Sequence, residues 1–390
     1  MIRRWMSIVA AAWLVAGSGN LLPAYVLNYQ IADPQNPANA GASACPVPTR
    51  LDFSQPGSVD RRWNTTLGTN LLTTAGFAGG PQAEVQAAIL ESYGAWTGVA
   101  GSNLAPNSYA ALGQTSGDAS CTPTDGLNTL CFAQEDSFAT GVLAFTRVVT
   151  ADAVGQTLGQ KTATSVGEIL DADVELNPAV PLATPGALAA NPAAYDLESI
   201  LIHELGHTLG FAESPVAGAA MFPFAPAPGT YRGARPLPTA PDAPLADDDR
   251  AAMRVNYPGS TVFGSVSGRI VPVNALSLAG IPSTAPGMSV TGYNGAHVVA
   301  VDADTGQVVA GALGGWSCDA ARQVTNFDGS YAIGGLPLGR RYSIYAEPLT
   351  GPVGPAMLTG PLFTQPCRLG SANACLPPEA DTLFSMRSRP

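Results

Sequence analysis

The stretch YDLESILIHELGHTLGFAES, residues 195–214, decides how the rest of the chain is read. Leu197, Ile200, Leu201, Leu205 and Leu209 recur at helical spacing, and Asp196 is placed to cap the helix start. His203 and His207 stand four residues apart, so both imidazoles lie on one face a turn apart, as two corners of a tetrahedral zinc site need. Glu204 follows the first histidine and can reach a water on the metal without being a ligand itself. Gly210 ends the helix, and Glu213 comes ten residues after His203. A buried helix carrying His, Glu and His without a cation would bear a heavy desolvation cost. The pattern therefore predicts one bound metal ion, Zn²⁺, with its third protein ligand open.

The chain around this helix is acidic and sparsely charged. It has 390 residues, a net charge of −11, 12% charged and 46% hydrophobic residues, with 43 glycines and 34 prolines. That apolar content is ample for burial and argues against disorder. The length suits two domains. No Lys/Arg cluster supplies a footprint for nucleic acid, so none is expected as a partner. Arginine outnumbers lysine, of which Lys161 is the only example, and alanine is abundant; both suggest a bacterial source.

Residues 1–24 read as a signal peptide. Arg3 and Arg4 precede an apolar run from Met6 to Ala16, which breaks at Gly17-Ser18-Gly19 and is too short to span a bilayer. Cleavage between Ala16 and Ala24 would give an exported chain with no membrane span, expected to be a monomer. Six cysteines without a CxxC pair agree with disulfides in an oxidising compartment. Cys121 and Cys131 close the shortest loop and are the expected pair, and Cys318 is expected to bond Cys367 or Cys375.

Ahead of the central helix, Val85, Ile89, Tyr93 and Trp96 predict an amphipathic helix beginning near Pro81, with plain core packing as its role. Gly141–Val149 and Gly167–Pro178 predict strands. Asp171, Asp173 and Glu175 alternate along the second. Hard carboxylates suit Ca²⁺, although a solvated strand face is the simpler reading. Beyond the central helix, Met221 falls in a turn between Gly218 and Pro223, and a Pro-rich loop runs over 225–244. Asp247 opens a last helix whose Met253 and Tyr257 share an apolar face. Pro258-Gly259-Ser260 reads as a linker. Past it, DTG at 304–306 and DGS at 328–330 are hairpin signals between alternating strands, and an antiparallel sandwich fits.

His203, Glu204, His207, Gly210 and Met221 together resemble the matrixins, a family of the metzincin zinc endopeptidases whose pattern is HExxHxxGxxH followed by a methionine turn. PLADDDRAAMRVNYP, with Asp248 and Asp249, is similar to the family's C-terminal helix. The resemblance implies an α+β catalytic domain over 25–258, a twisted mixed β-sheet with an active-site helix and a C-terminal helix. It also implies Met221 as support beneath the metal and Phe222, Pro223 and Phe224 as the wall of the S1′ pocket. The family's third histidine falls on Glu213. With His297 far away in sequence, Glu213 is the expected third ligand, since His₂Glu sets hold catalytic zinc. Asp242 is an outside alternative, and Glu347 and Glu379, the only later glutamates, lie beyond the catalytic domain. GAHVVAVDADTG and NFDGSYAIGGLPLGRRY resemble the carboxypeptidase regulatory-like, transthyretin-type β-sandwich, expected over 259–350 with a disulfide-tethered tail at 351–390.

These readings converge on a secreted zinc endopeptidase acting on protein or peptide substrates. Glu204 would be the general base, and the substrate strand would pair with the edge Gly141–Phe145. The rival reading is an exported binding or adhesion protein whose peptidase domain has decayed. The exchange of histidine for glutamate at position 213 keeps it open, and the retained Glu204 argues against it.

Overall fold

The helix that carries His203 and His207 rests on a mixed sheet, two of whose strands are the runs picked out above. The computed structural model describes residues 20–21, 27–30, 37, 45–52, 61–64, 77–104, 112–115, 125–132, 138, 140–230, 244–271, 292, 295–319, 324–349 and 382–387. In chain order the sheet takes β1 (Arg61–Asn64), β2 (Leu112–Thr115), β3 (Asn128–Phe132), β4 (Val142–Thr150) and β5 (Ile169–Leu176). Their spatial order is β4-β5-β3-β1-β2. Strands β5, β3, β1 and β2 run parallel, and β4 runs antiparallel beside β5.

Among the described residues three α-helices accompany the sheet: α1 (Gln82–Thr97), α2 (Leu197–Thr208) and α3 (Asp247–Asn256). Val85, Ile89, Tyr93 and Trp96 are buried, as their spacing predicts, and the Trp96 indole donates to the Ile202 carbonyl at 2.8 Å. That bond ties α1 to α2. Every residue of α2 is buried, and Asp196 caps it by accepting from Ser199 N at 2.7 Å. The Tyr257 hydroxyl donates to the Leu209 carbonyl and accepts from Leu51 N, joining the ends of α3 and α2.

Strand β5 corrects the reading of its acidic residues. A bulge at its start turns Ala172, Val174 and Leu176 into the main core, while Asp171, Asp173 and Glu175 lie on the opposite face. That face is buried, not solvated. Each carboxylate has its own protein partner: Gly126 N for Asp171, Thr129 N for Asp173 and Arg147 for Glu175. The three form no ion cage, and calcium is not supported. The buried Lys161 ammonium, which donates to the Leu170 carbonyl, supplies positive charge beside Asp171.

The C-terminal strands are β6 (Gly264–Arg269), β7 (His297–Asp302), β8 (Val308–Leu313), β9 (Gly315–Asp319), β10 (Val324–Leu336) and β11 (Tyr342–Glu347). One sheet has the order β8-β7-β11; the other sets β9, β10 and β6 side by side, with residues 20–21 paired to β9. Helix α3 is the seam. Gly335 of β10 lies so close to Ala251 that a Cβ there would meet its carbonyl at 2.6 Å, and Arg254 reaches the Gly335 carbonyl. The expected linker is held down too, with Gly259 N donating to Gly101 O.

Two expectations about the chain's ties change. Cys318 bonds Cys45, across 273 residues of sequence and a Cα–Cα distance of 5.7 Å, and not Cys367 or Cys375. Spacing along the chain misjudged this pair because β9 returns to the N-terminal segment in space. Cys131 is also disulfide-bonded, while its expected partner Cys121 lies outside the described residues, as do Cys367 and Cys375. The second change concerns the last strand, β12 (Thr382–Arg387), which joins the main sheet and not the C-terminal ones. It runs antiparallel along β4, with Phe384 opposite Thr146 and Arg387 opposite Val142. The outer edge of Gly141–Phe145 therefore already carries a strand. The signal-peptide reading falls almost wholly outside the described residues, and Asp242 lies there as well.

Candidate metal centre

The end of α2 sets the site. Gly210 adopts φ +88°, and its N–H bonds the His207 carbonyl while Phe211 N bonds Gly206 O, at 2.9 and 3.2 Å. This is a Schellman turn, which needs a left-handed residue just past the helix. A Cβ at Gly210 would also run into the Thr49 carbonyl. The turn reverses the chain, so that Phe211 passes back under His207 and Glu213 arrives opposite both histidines.

His203, His207 and Glu213 converge there, all of them buried. The two Nε2 atoms are 3.1 Å apart, and the Glu213 carboxylate oxygens lie 3.5 Å from His203 Nε2 and 3.7 Å from His207 Nε2. Zinc with bonds of about 2.0–2.1 Å places tetrahedral ligand atoms about 3.3 Å apart, and the observed edges bracket that length. The outer nitrogens complete the picture. His203 Nδ1 meets the Ala220 carbonyl and His207 Nδ1 the Phe211 carbonyl, each at 2.8 Å. Carbonyls only accept, so both Nδ1 atoms carry a proton, and in the neutral imidazoles both Nε2 lone pairs face Glu213. In that state three acceptors point at one another, an arrangement that suits a cation. The donor set fits zinc.

Electrostatics agree with the placement. Burial disfavours a charged His203, but the Glu213 and Glu204 carboxylates outweigh it and hold its pKa above the ordinary value. At His207, burial and the neighbouring His203 push the pKa well below it. The centre thus attracts one positive charge and rejects a second imidazolium.

Glu204 is fully buried beside His203, and its Oε2 lies 2.5 Å from the Thr146 hydroxyl, which is also 3.0 Å from the Glu204 carbonyl. Thr146 sits on β4, fifty-eight residues earlier, and sequence reasoning missed it. Nothing in TRVV marks one threonine of a strand as a partner for a distant glutamate.

Below the histidines, Met221 is buried against α2. Gly206 lets it approach, since a Cβ there would collide with the Met221 sulfur. The turn that holds Met221 is pinned by Asp249, which accepts from Ala220 N at 2.7 Å and Met221 N at 3.1 Å. Phe222, Pro223 and Phe224 follow, all buried, and the two phenylalanines cluster with Leu313 of β8. Ser214 N closes the loop onto the Met221 carbonyl, and the Ser214 hydroxyl donates to Asp248.

Residues 129–257 match the family model of the Matrixin family. The match runs from β3 to the end of α3 and takes in the three converging side chains, Glu204 and Met221. It supports a matrixin-like metallopeptidase, for which the family implies a catalytic zinc and protein or peptide substrates. No curated protein matches the chain.

Proposed function

We propose that the protein is a secreted zinc endopeptidase, exported through its N-terminal segment and acting as a monomer. His203, His207 and Glu213 would hold the metal and Glu204 would be the general base. The convergence of two inward-facing Nε2 atoms and the Glu213 carboxylate beside a second, differently tethered carboxylate, Glu204, carries this reading. Bound there, zinc supplies Lewis acidity that polarises a scissile carbonyl and makes water easier to deprotonate. Glu204, held by Thr146, takes a proton from the attacking water and passes it to the leaving amine. The carbonyls of Ala220 and Phe211 keep the two imidazoles in one tautomer, and Met221 supports them from below. Phe222, Pro223 and Phe224 would wall the pocket for the side chain on the leaving side.

The antiparallel pairing of β12 with β4 supports the further reading that this edge takes an extended chain, as a substrate strand would. The disulfide Cys45–Cys318 supports an oxidising destination. Among the described residues no helix is long and apolar enough to cross a membrane. The test is metal analysis of the purified mature protein together with casein hydrolysis by wild type and Glu204→Ala. One zinc per chain in both, with activity only in the wild type, is expected. No zinc and no hydrolysis in either would sink the reading.

A further inference from the structure

We propose that strand β8 is a working part of the peptidase site: through Asp248 it positions the loop bearing Glu213, and through Leu313 it backs the Phe222–Phe224 wall. This rests on the peptidase reading above for what the loop and the wall do, but the contacts stand apart from it.

The link is a short chain of hydrogen bonds. Gly311 N, on the outer edge of β8, donates to Asp248 Oδ1 at 2.7 Å. The other oxygen of the same buried carboxylate accepts from the Ser214 hydroxyl at 2.6 Å, and that hydroxyl accepts in turn from Val216 N at 3.1 Å. Ser214 is the neighbour of Glu213. A buried carboxylate left with only one donor would be costly, so Asp248 holds both partners or neither comfortably. Direct packing reinforces the clasp. A Cβ at Gly311 would stand 2.8 Å from Val216 Cγ2 and 2.8 Å from His297 Nε2, so the strand already lies against the ligand loop. Side chains two apart in a strand share a face. Accordingly Leu313, two residues on, reaches Phe222 and Phe224 on that side. The C-terminal strands therefore touch the candidate site twice, once beside a ligand and once behind the pocket wall. Asp248 is a positioning residue here, and Leu313 a specificity-determining one.

The test uses the full mature chain loaded with zinc. Asp248→Ala and Ser214→Ala should each speed zinc release to a chelator by about tenfold, the scale of outer-shell losses at metal sites. The double variant should be no faster than the worse single one, because both cut one chain. Asp248→Asn, which can still accept from Gly311 N and donate to Ser214 Oγ, should recover most of the retention. Leu313→Ala should leave zinc release unchanged but shift the Leu-to-Phe preference of peptide substrates on the leaving side at least threefold; Leu313→Met, which keeps the volume, should shift it less. Amide exchange over residues 213–216, measured without metal, should rise in Asp248→Ala. Faster exchange with unchanged zinc release, additive effects of the two single variants, or an unaltered preference in Leu313→Ala would each overturn the proposal. A wild type that holds no zinc and cleaves nothing would instead refute the peptidase reading, while the exchange result would still report on the clasp.

Discussion

Glu213 and Thr146 carry most of the chemistry that distinguishes this centre at the level of single residues. On the proposed ligand set, a carboxylate in the third position would lower the charge at the metal by one relative to three imidazoles, and the Glu213 oxygens already face both Nε2 atoms. Glu213→Ala is predicted to weaken zinc retention while leaving the fold intact, and unchanged zinc content by elemental analysis would show that another group completes the set. Glu213→His should fold and keep its zinc. Loss of folding, seen by circular dichroism, would count against the alignment of position 213 with the family's third histidine. On the proposed reading, Thr146 acts on the base, Glu204. A hydrogen bond to a charged acceptor contributes about 1.5–3 kcal/mol. Thr146→Val should therefore lower kcat at least about tenfold with zinc content and KM near their wild-type values. A loss confined to KM would place Thr146 in substrate binding.

At the level of elements, the edge strand β4 is the point of interest. An open edge is a template for any extended chain, and here β12 occupies it over Val142–Val148. Substrate and β12 would then compete for the same backbone groups. Removing residues 382–387 is predicted to lower KM for a peptide substrate by several-fold with kcat little changed, and a peptide of the sequence TLFSMR added in excess should reverse the gain. An unchanged KM after removal would mean that substrate binds elsewhere. The helix α3 is the other decisive element. Its first-turn aspartates divide the labour, Asp249 pinning the Met221 turn and Asp248 bridging Ser214 to β8. Carboxylates at a helix N-terminus are favoured by its dipole, which helps explain how two can be buried side by side.

Across the whole molecule, burial of His297 in β7 couples the C-terminal strands to acid stability. Burial lowers its pKa to about 4, despite Glu347 3.4 Å from Nδ1. The unfolded chain binds that proton near pH 6.5, so between about 6.5 and 4 it holds more protons than the folded one. The stability from this site is complete above pH 6.5 and declines as pH falls toward 4, by about 3 kcal/mol at most. His297→Gln should flatten that part of the curve in urea unfolding at pH 7.5 and 4.5. An unchanged slope would assign the acid sensitivity to other groups.

Local periodicity and short-range chemistry were enough to identify the centre's nucleus. The i, i+4 pair His203 and His207, the N-cap Asp196, the left-handed Gly210 and the apolar ladder of α2 are set by helical geometry, which sequence spacing encodes directly. The same holds for β4, β5 and the helix over Gln82–Thr97. What the chain did not reveal was everything carried by contacts between distant segments. Cys45 meets Cys318, Thr146 meets Glu204, Gly311 meets Asp248 and β12 covers β4, each pair separated by between 58 and 273 residues. No local pattern records such pairings, because a hydroxyl, an edge amide or a thiol becomes specific only when packing fixes its partner. The buried, separately partnered state of Asp171, Asp173 and Glu175 was decided in the same way. Alternation showed that they share a face, and only tertiary packing brought each its protein partner: Gly126 N, Thr129 N and the Arg147 guanidinium.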